Sequence, residues 1–209
     1  WDVSGVIDME KIFDDASSFN GDISEWDVSR VAIMSNVLAG ASSFNIDFPR
    51  SDVSTTVGIN NMFWGATMFD GDLLTWELSS VISLTGMFNN ATSFNANIPS
   101  GELSSVVNML SMCAGVTSFS GDVSKCEVSR VTSLNEVFSR TSTFNGDIPK
   151  WDAPSVTNIN GMSSSASIFV SYAIADYKCL RLFPKGERVK SPHGAIGQCD
   201  KLTERSMHT

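Results

Sequence analysis

The chain has 209 residues and a net charge of −9, and 42% of its residues are hydrophobic. Residues 1–175 hold 19 acidic and 7 basic residues, whereas residues 176–209 have an excess of three basic ones. An acidic surface repels phosphate backbones, so we expect no nucleic-acid partner. No apolar run reaches the roughly 18–20 residues that span a bilayer, so we expect no membrane span, and no segment resembles a signal peptide.

A 25-residue unit runs through the chain without insertion or deletion. The units start at Trp1, Trp26, Ser51, Trp76, Gly101, Cys126 and Trp151. Such a period is typical of a solenoid, in which each unit covers its neighbour's apolar face. We therefore predict a repeat solenoid over residues 1–170 and a divergent basic tail over residues 171–209, either a cap or a poorly ordered segment. Because the chain opens at a unit start, we interpret it as a fragment of a longer protein.

Each unit is predicted to begin with a short strand and to continue as a helix. In the unit that starts at Trp26, the Trp and Val28 share one face of the strand and Asp27 takes the other. Ser29 follows, in the place that is typical of a helix N-cap. Apolar residues then recur at steps of three and four, which indicates an amphipathic helix. They are Val31, Met34, Val37, Leu38 and Ala41.

The helix is expected to end where residues accept a left-handed conformation, and an extended piece with inward Phe and Ile follows. The helix-ending residues are Gly40, Gly65, Asn90 and Gly115, with Asp15, Arg140 and Ser165 as departures. One Phe recurs in every unit, as Phe19, Phe44, Phe69, Phe94, Phe119, Phe144 and Phe169. Stacked units would bring these rings into an aromatic spine. The predicted fold class is α/β, built from strand-turn-helix units.

The run Trp-Asp-Val-Ser-x-Val, followed by Met, Phe, Ala-Ser-Ser-Phe-Asn and Gly-Asp-Ile-Ser, resembles the 25-residue repeat of the BspA-like leucine-rich repeat surface proteins. The resemblance covers residues 1–169 and implies a leucine-rich-repeat-like solenoid of about seven units in an extracellular or cell-surface setting. The family carries no agreed catalytic residues, so none is transferred. The sequence departs from the pattern at Ser51, Gly101 and Cys126 for Trp, at Cys113 for Phe and at Pro154 for Ser.

Two repeated acidic places hold the candidate binding residues. The first acidic row is Asp2, Asp27, Asp52, Glu77, Glu102, Glu127 and Asp152, and the second is Asp22, Asp47, Asp72, Asp122 and Asp147. Like charges on strands about 4.8 Å apart repel, and a bound Ca²⁺ would relieve that repulsion. Alternatively, each carboxylate accepts backbone N–H bonds within its own turn or keeps the surface soluble. We expect no cofactor, with Ca²⁺ as the open alternative.

Other polar residues have structural explanations beside functional ones. Asn20, Asn45, Asn95 and Asn145 are expected to form an internal ladder, with sugar contact as the alternative. Ser and Thr pairs such as Ser17-Ser18 and Thr92-Ser93 could instead line a hydroxyl face suited to glycans or ice. Cys113 and Cys126 stand where other units carry Phe and Trp, so we interpret them as buried apolar substitutes. Cys179 and Cys199 could pair in an oxidising environment.

The sequence offers little for catalysis. His193 and His208 both lie in the tail, so neither a Ser-His-Asp arrangement nor a zinc site with Cys179 and Cys199 is indicated. We therefore expect a non-enzymatic, adhesion-type module at the cell surface or secreted, with a protein or glycan ligand. A structural spacer that displays another domain is the alternative, and a carbohydrate-active enzyme is a third hypothesis.

Overall fold

The computed structural model of the chain describes residues 1–47, 52–98, 103–144, 151 and 153–166. In these residues there is no helix and no strand longer than a single bridging residue. Parallel bridges join residues 25 positions apart, as the repeat predicted: Asp8, Ile33, Gly58, Ser83, Asn108, Ser133 and Asn158, each to the next. Each unit is one coil that lies against the next, and we number the coils 1 to 7 by their unit starts. The predicted tail at 171–209 lies outside the described residues.

The predicted α/β fold of strand-turn-helix units, and with it the leucine-rich-repeat-like solenoid, is wrong. The stretch expected to be helical contains two left-handed residues in every coil, such as Asn36 (φ 57°) and Gly40 (φ 69°) in coil 2. An α-helix requires right-handed residues throughout and N–H bonds to the carbonyl four residues back. Here the chain instead runs through successive turns in which an N–H bonds three residues back, as from Val37 to Met34 at 3.3 Å.

The other backbone N–H groups of this stretch donate to the neighbouring coil. Leu38 N–H donates to the Met62 carbonyl at 3.0 Å, and Gly40 N–H donates to the Trp64 carbonyl at 2.7 Å. These contacts are parallel and 24 residues apart in sequence, so the backbone is satisfied between coils rather than within a helix. The bridging residue of coil 2, Ile33, lies inside the stretch predicted as helix and not in the predicted strand at 26–28.

The apolar spacing that indicated a helix comes from these turns. A four-residue turn that begins and ends with an inward residue places an apolar side chain at every third position. Val28, Val31, Met34 and Val37 follow this spacing and are all buried. Their side chains join those of every other coil in one continuous apolar core along the stack.

The predicted aromatic spine is present from coil 1 to coil 6. Adjacent spine rings have centroids 5.4–6.0 Å apart and lie nearly parallel: Phe19, Phe44, Phe69, Phe94, Phe119 and Phe144. Phe169 lies outside the described residues. A second set of rings stacks on the spine within the same coil at 3.8–4.0 Å: Phe13, Phe63, Phe88 and Phe138. Coils 1, 3, 4 and 6 therefore each contribute two stacked rings to the core, and coils 2 and 5 contribute one.

Coils alternate between two forms. Coils 2, 4 and 6 carry Pro49, Pro99 and Pro149 where coils 1, 3 and 5 carry Ser24, Leu74 and Ser124. Coils 3 and 5 also carry a glycine that lies close to the coil before it. A Cβ on Gly71 would meet the Ile46 carbonyl oxygen at 3.3 Å, and one on Gly121 would meet the Ala96 carbonyl oxygen at 2.6 Å. This part of the coil therefore alternates with a period of two coils in coils 1–5, whereas the bridges repeat in every coil.

Candidate binding surface

The described members of the first acidic row lie on the surface, and Asp2, Asp27 and Asp52 are bonded within their own turns. Asp27 Oδ1 accepts the N–H of Ser29 at 3.1 Å and its hydroxyl at 2.6 Å, and Asp2 accepts the same pair from Ser4. These bonds hold the pKa of the Asp2 and Asp27 carboxyls below the ordinary value. Ser29 therefore donates to a carboxylate, and its predicted role as a helix N-cap is wrong because no helix follows it.

Like charge acts along this row, although the serine bonds outweigh it. Asp2 and Asp52, in the neighbouring coils, both act to raise the pKa of the Asp27 carboxyl. Asp52 is held by the Ser54 N–H at 3.0 Å, which lowers its pKa. Glu77 and Glu127 are exposed in the same row. Glu102 and Asp152 lie outside the described residues.

The second acidic row is also exposed, and its bonding alternates with the coil type. In coils 1, 3 and 5 the side chain accepts the N–H two residues on: Asp22 from Ser24, Asp72 from Leu74 and Asp122 from Ser124. The bond from Ser24 lowers the pKa of Asp22. In coils 2 and 4 that donor is replaced by proline, and the side chain instead accepts the N–H of the next coil. Asp72 N–H donates to Asp47, and Asp122 N–H donates to Asn97, which stands at this place in coil 4 where the row has no acid. Asp147 lies outside the described residues.

A shallow hollow of about 260 Å³ lies where the first row passes from coil 2 to coil 3. Trp26, Asp27 and Asp52 line it, together with Ser24, Glu25 and Val28. No group of three or more His, Cys, Asp or Glu side chains is gathered as a metal ligand set within the described residues. Asp27 and Asp52 accept hydrogen bonds from Ser29 and Ser54, so these carboxylates stabilise their own turns.

The amides and hydroxyls of the surface are likewise bonded along the stack. Asn20 Oδ1 accepts the Asn45 N–H at 3.0 Å, and Asn95 Oδ1 accepts the Ser120 N–H at 2.7 Å, so the predicted asparagine ladder is present in these coils. Asn145 lies outside the described residues. Hydroxyls of another row donate to the carbonyl of the coil before, at 3.0–3.3 Å: Ser42, Thr67, Thr92, Thr117 and Ser142. The hydroxyl donors of this row are therefore already used in hydrogen bonds to the backbone.

An apolar stripe runs along the bridged side of the stack, and the sequence reasoning missed it. We define the apolar stripe as Ile7, Ala32, Val57, Ile82 and Val107. Ile7, Val57 and Ile82 are 57%, 44% and 56% exposed, and the other two are half-buried. Backbone bonds of 2.8–2.9 Å join Ala32 to Ile7, Val57 to Ala32 and Val107 to Ile82, in each case from the N–H of the first to the carbonyl of the second. The bridge between Gly58 and Ser83 places Ile82 beside Val57. Coils 6 and 7 continue the row with Thr132 and Thr157.

The middle of the stripe is flanked by uncharged side chains. Thr55, Ser80 and Ser105 lie two residues before its members in coils 3, 4 and 5. The Thr55 hydroxyl donates to the Ser29 carbonyl at 2.8 Å and the Ser80 hydroxyl donates to the Ser54 carbonyl at 2.6 Å. Water therefore meets methyl groups here rather than free donors. The sequence did contain a signal for the stripe, which is a β-branched residue directly after a buried Val, as in Val81-Ile82. In a helix this residue would not be expected to line up with its counterparts in the other coils.

Coil 3 exposes further large apolar side chains away from the stripe. Trp64, Met68 and Leu74 are 44–55% exposed, where most other coils carry small or polar residues. Cys113 and Cys126 are buried, as predicted for apolar substitutes. His193, His208, Cys179 and Cys199 lie outside the described residues.

The comparisons with known proteins identify a family and nothing beyond it. A family model described as "Mycoplasma protein of unknown function, DUF285" matches residues 1–101 and again residues 95–179. No curated protein and no solved structure matches the chain. In the described part of the chain, no helix has the length and apolar character needed to cross a membrane.

Proposed function

The chain belongs to this Mycoplasma family of unknown function, and on that premise we propose that it is a non-enzymatic module that binds a protein or glycan at the cell surface or outside the cell. The resemblance of its repeat to the BspA-like surface proteins supports the setting. The stack of coils supports the mode of binding, because a regular exterior offers many shallow contacts in a row.

The observation that carries the proposal is the apolar stripe. With adjacent coils about 4.8 Å apart, its five members extend for about 20 Å. Exposed apolar side chains scattered singly need no explanation, but a continuous row is typical of an interaction surface. Ile7, Val57 and Ile82 lie outside the apolar core and expose about half of their surface, so the exposed part is unfavourable in water unless a partner covers it.

The chemistry of the stripe favours a protein ligand over a glycan. Methyl groups of Val57 and Ile82 suit the apolar side chains of an extended peptide segment. A sugar would require free hydrogen-bond partners, and the neighbouring hydroxyls of Thr55 and Ser80 already donate to backbone carbonyls. The acidic rows add attraction for a basic partner, with Ca²⁺ as a further ligand to be tested.

The alternative, a structural spacer, has an observation in its favour. The aspartate, asparagine and hydroxyl rows use their side chains to hold turns and to join coils. A rod built only to set a distance would need no more than this. A spacer function does not, however, explain the exposed side chains of the apolar stripe.

Binding of the folded chain to a panel of matrix proteins and glycans, with calcium and with chelator, tests the proposal. The informative variant is Val57→Thr with Ile82→Thr, because Thr132 and Thr157 already occupy this row. It is expected to weaken binding at least tenfold, since it removes apolar contacts and keeps the β-branched shape. Met68→Ser is the matched control, as it removes an equally exposed apolar side chain outside the stripe.

Equal affinity of the stripe variant and the unmodified chain would remove the stripe from the proposal. No saturable binding from a protein shown to be folded would favour the spacer. Loss of binding under chelator, with the fold preserved, would assign a role to the acidic rows.

A further inference from the structure

The apolar stripe is a ridge with lower, uncharged ground beside it. Val57 and Ile82 are 44% and 56% exposed, whereas the residues three positions after the stripe in coils 3, 4 and 5 are only partly exposed. These residues are Asn60, Thr85 and Leu110, and none of them carries a charge. Residues with hydroxyl side chains border the same coils on the other side. A ligand can therefore approach the ridge from both flanks without meeting a charged side chain.

The members of the stripe repeat at the distance between coils. Neighbouring chains joined by parallel backbone bonds lie about 4.8 Å apart. The spine rings of adjacent coils, which stack in the core, have centroids 5.4–6.0 Å apart. Because the bridges keep every coil in register, the stripe offers one side chain about every 5 Å along the stack.

An α-helix matches this distance better than an extended chain does. Apolar residues on one face of an amphipathic helix recur every three or four residues, so they stand about 5.3 Å apart along its axis. Side chains on one face of an extended chain stand about 6.7 Å apart. Val57 and Ile82 alone suit an extended segment that crosses the stripe. A segment that follows all five coils would slip by about 8 Å when extended and by about 2 Å when helical.

The charges near the middle of the stripe favour a basic flank on such a helix. Asp52 and Glu77, of the first acidic row, precede the stripe by five residues in coils 3 and 4, and both are exposed. In coils 2 and 6 an exposed arginine, Arg30 or Arg130, stands between the acidic row and the stripe row. In coils 3 and 4 that place holds a hydroxyl residue, so the carboxylates there attract a cation from a ligand.

We propose that the ligand of the stripe is an amphipathic α-helix that lies along the stack, with its apolar face on coils 1 to 5 and lysine or arginine on the flank over coils 3 and 4. This inference rests on the proposed function, because it names the class of protein ligand. The stripe extends for about 20 Å, the length of about 13 helical residues. A single ridge of side chains enters the groove between two rows of helix side chains, as in the packing of two helices.

Two peptide libraries displayed on phage test the shape of the ligand. Both contain peptides of about 18 residues with the same overall composition, including lysine. One library has apolar residues at every third or fourth place, and the other alternates apolar and polar residues. Selection uses the folded full chain, after depletion on the variant Val57→Thr with Ile82→Thr. We expect binders from the first library that are helical when bound, by circular dichroism, and that bind the variant at least tenfold more weakly.

A second measurement tests the basic flank. Glu77→Gln is expected to weaken the selected helical peptides about two- to fivefold at low salt and less at high salt, because exposed charges are screened. Glu127→Gln is the matched control. Glu127 is exposed in the same acidic row, but in coil 6, where Thr132 occupies the stripe row and Arg130 stands between them. Its loss is expected to leave the affinity unchanged, and equal effects of the two substitutions would overturn the basic flank.

The outcomes for the helix and for the proposed function are distinguishable. Stripe-dependent binders from the alternating library alone, or of equal affinity from both libraries, would overturn the helix and leave the stripe as a binding surface. No stripe-dependent binder from either library would also overturn the helix. The proposed function would then be decided separately by the panel of matrix proteins and glycans.

Discussion

Individual residues of this stack are held in a conformation that most side chains avoid. Every coil places two residues in the left-handed region, and the residue types range from Gly40 and Asn36 to Glu136 and Arg140. For a residue with a Cβ, this conformation costs roughly 1–2 kcal/mol. The coil-to-coil bonds impose it, as when Arg140 N–H donates to the Ser164 carbonyl at 2.7 Å. The left-handed residues other than glycine therefore carry this backbone cost, which the coil-to-coil bonds must offset.

Arg140→Gly is expected to stabilise the protein. Arg140 has φ 60° and an exposed side chain, and the corresponding residue is glycine in coils 2, 3 and 5. Relief of the left-handed strain outweighs the extra freedom of glycine in the unfolded chain, for a net gain of about 0.5–1 kcal/mol. Urea unfolding followed by circular dichroism measures it. Arg130→Gly, at an exposed residue outside the left-handed set, is the control and is expected to lose stability.

At the scale of the coil, the sequence predicted the period and the buried side chains and failed on the backbone. Val31, Met34 and Val37 were correctly expected to face inward, because a turn and a helix both return to the same side after three residues. The two differ in where the backbone N–H groups go, and that depends on the neighbouring coil. A local signal was present: Asn36 and Asn61 recur four residues before Gly40 and Gly65, and two such residues in one short helix are unfavourable.

The aromatic rings hold each coil to the next, and Phe94→Ala tests this. Phe94 is fully buried and stacks on Phe88 in its own coil and on the spine rings of coils 3 and 5. Its loss is expected to cost about 3–5 kcal/mol, from the missing contacts and the cavity left in a rigid core. The free energy of unfolding in urea measures it.

Leu74→Ala is the matched control, since Leu74 is an exposed apolar side chain of similar chemistry in the preceding coil. Its effect is expected to stay within about 0.5 kcal/mol. A Phe94→Ala loss as small as that of the control would contradict a spine that stabilises the stack.

At the scale of the whole molecule, the stack explains why its binding surface was hard to predict. The acidic rows are visible in the sequence, and whether they bind a ligand stays a prediction. The apolar stripe is a property of alignment: Ile7, Val57 and Ile82 are unremarkable in their own coils and become a surface only because the coils stack in register. Sequence reasoning that assigns these residues to a helix has no reason to place them side by side.

For the whole stack, the alternation of coil types predicts that coils can be removed in units of 50 residues at a lower cost than in units of 25. In coil 3, the Asp72 side chain accepts the Leu74 N–H. The backbone N–H of Asp72 donates to the side chain of Asp47 in coil 2. Coil 5 repeats this arrangement with Asp122 and Asn97. The interfaces between coils 2 and 3 and between coils 4 and 5 therefore each join one type of coil to the other.

Two deletions distinguish these lengths. Removing residues 51–100 takes out coils 3 and 4 and sets coil 2 against coil 5, an interface of the same type as that between coils 4 and 5. Removing residues 76–100 sets coil 3 against coil 5, where the Asp72 side chain already accepts the Leu74 N–H. Although it removes twice as many residues, the longer deletion is expected to leave the more stable protein, by about 1–3 kcal/mol, because only the shorter one sets the Asp122 N–H against a side chain that is already turned toward the Leu74 N–H. Urea unfolding of the two variants gives the comparison, and a more stable shorter deletion would return the repeat to 25 residues.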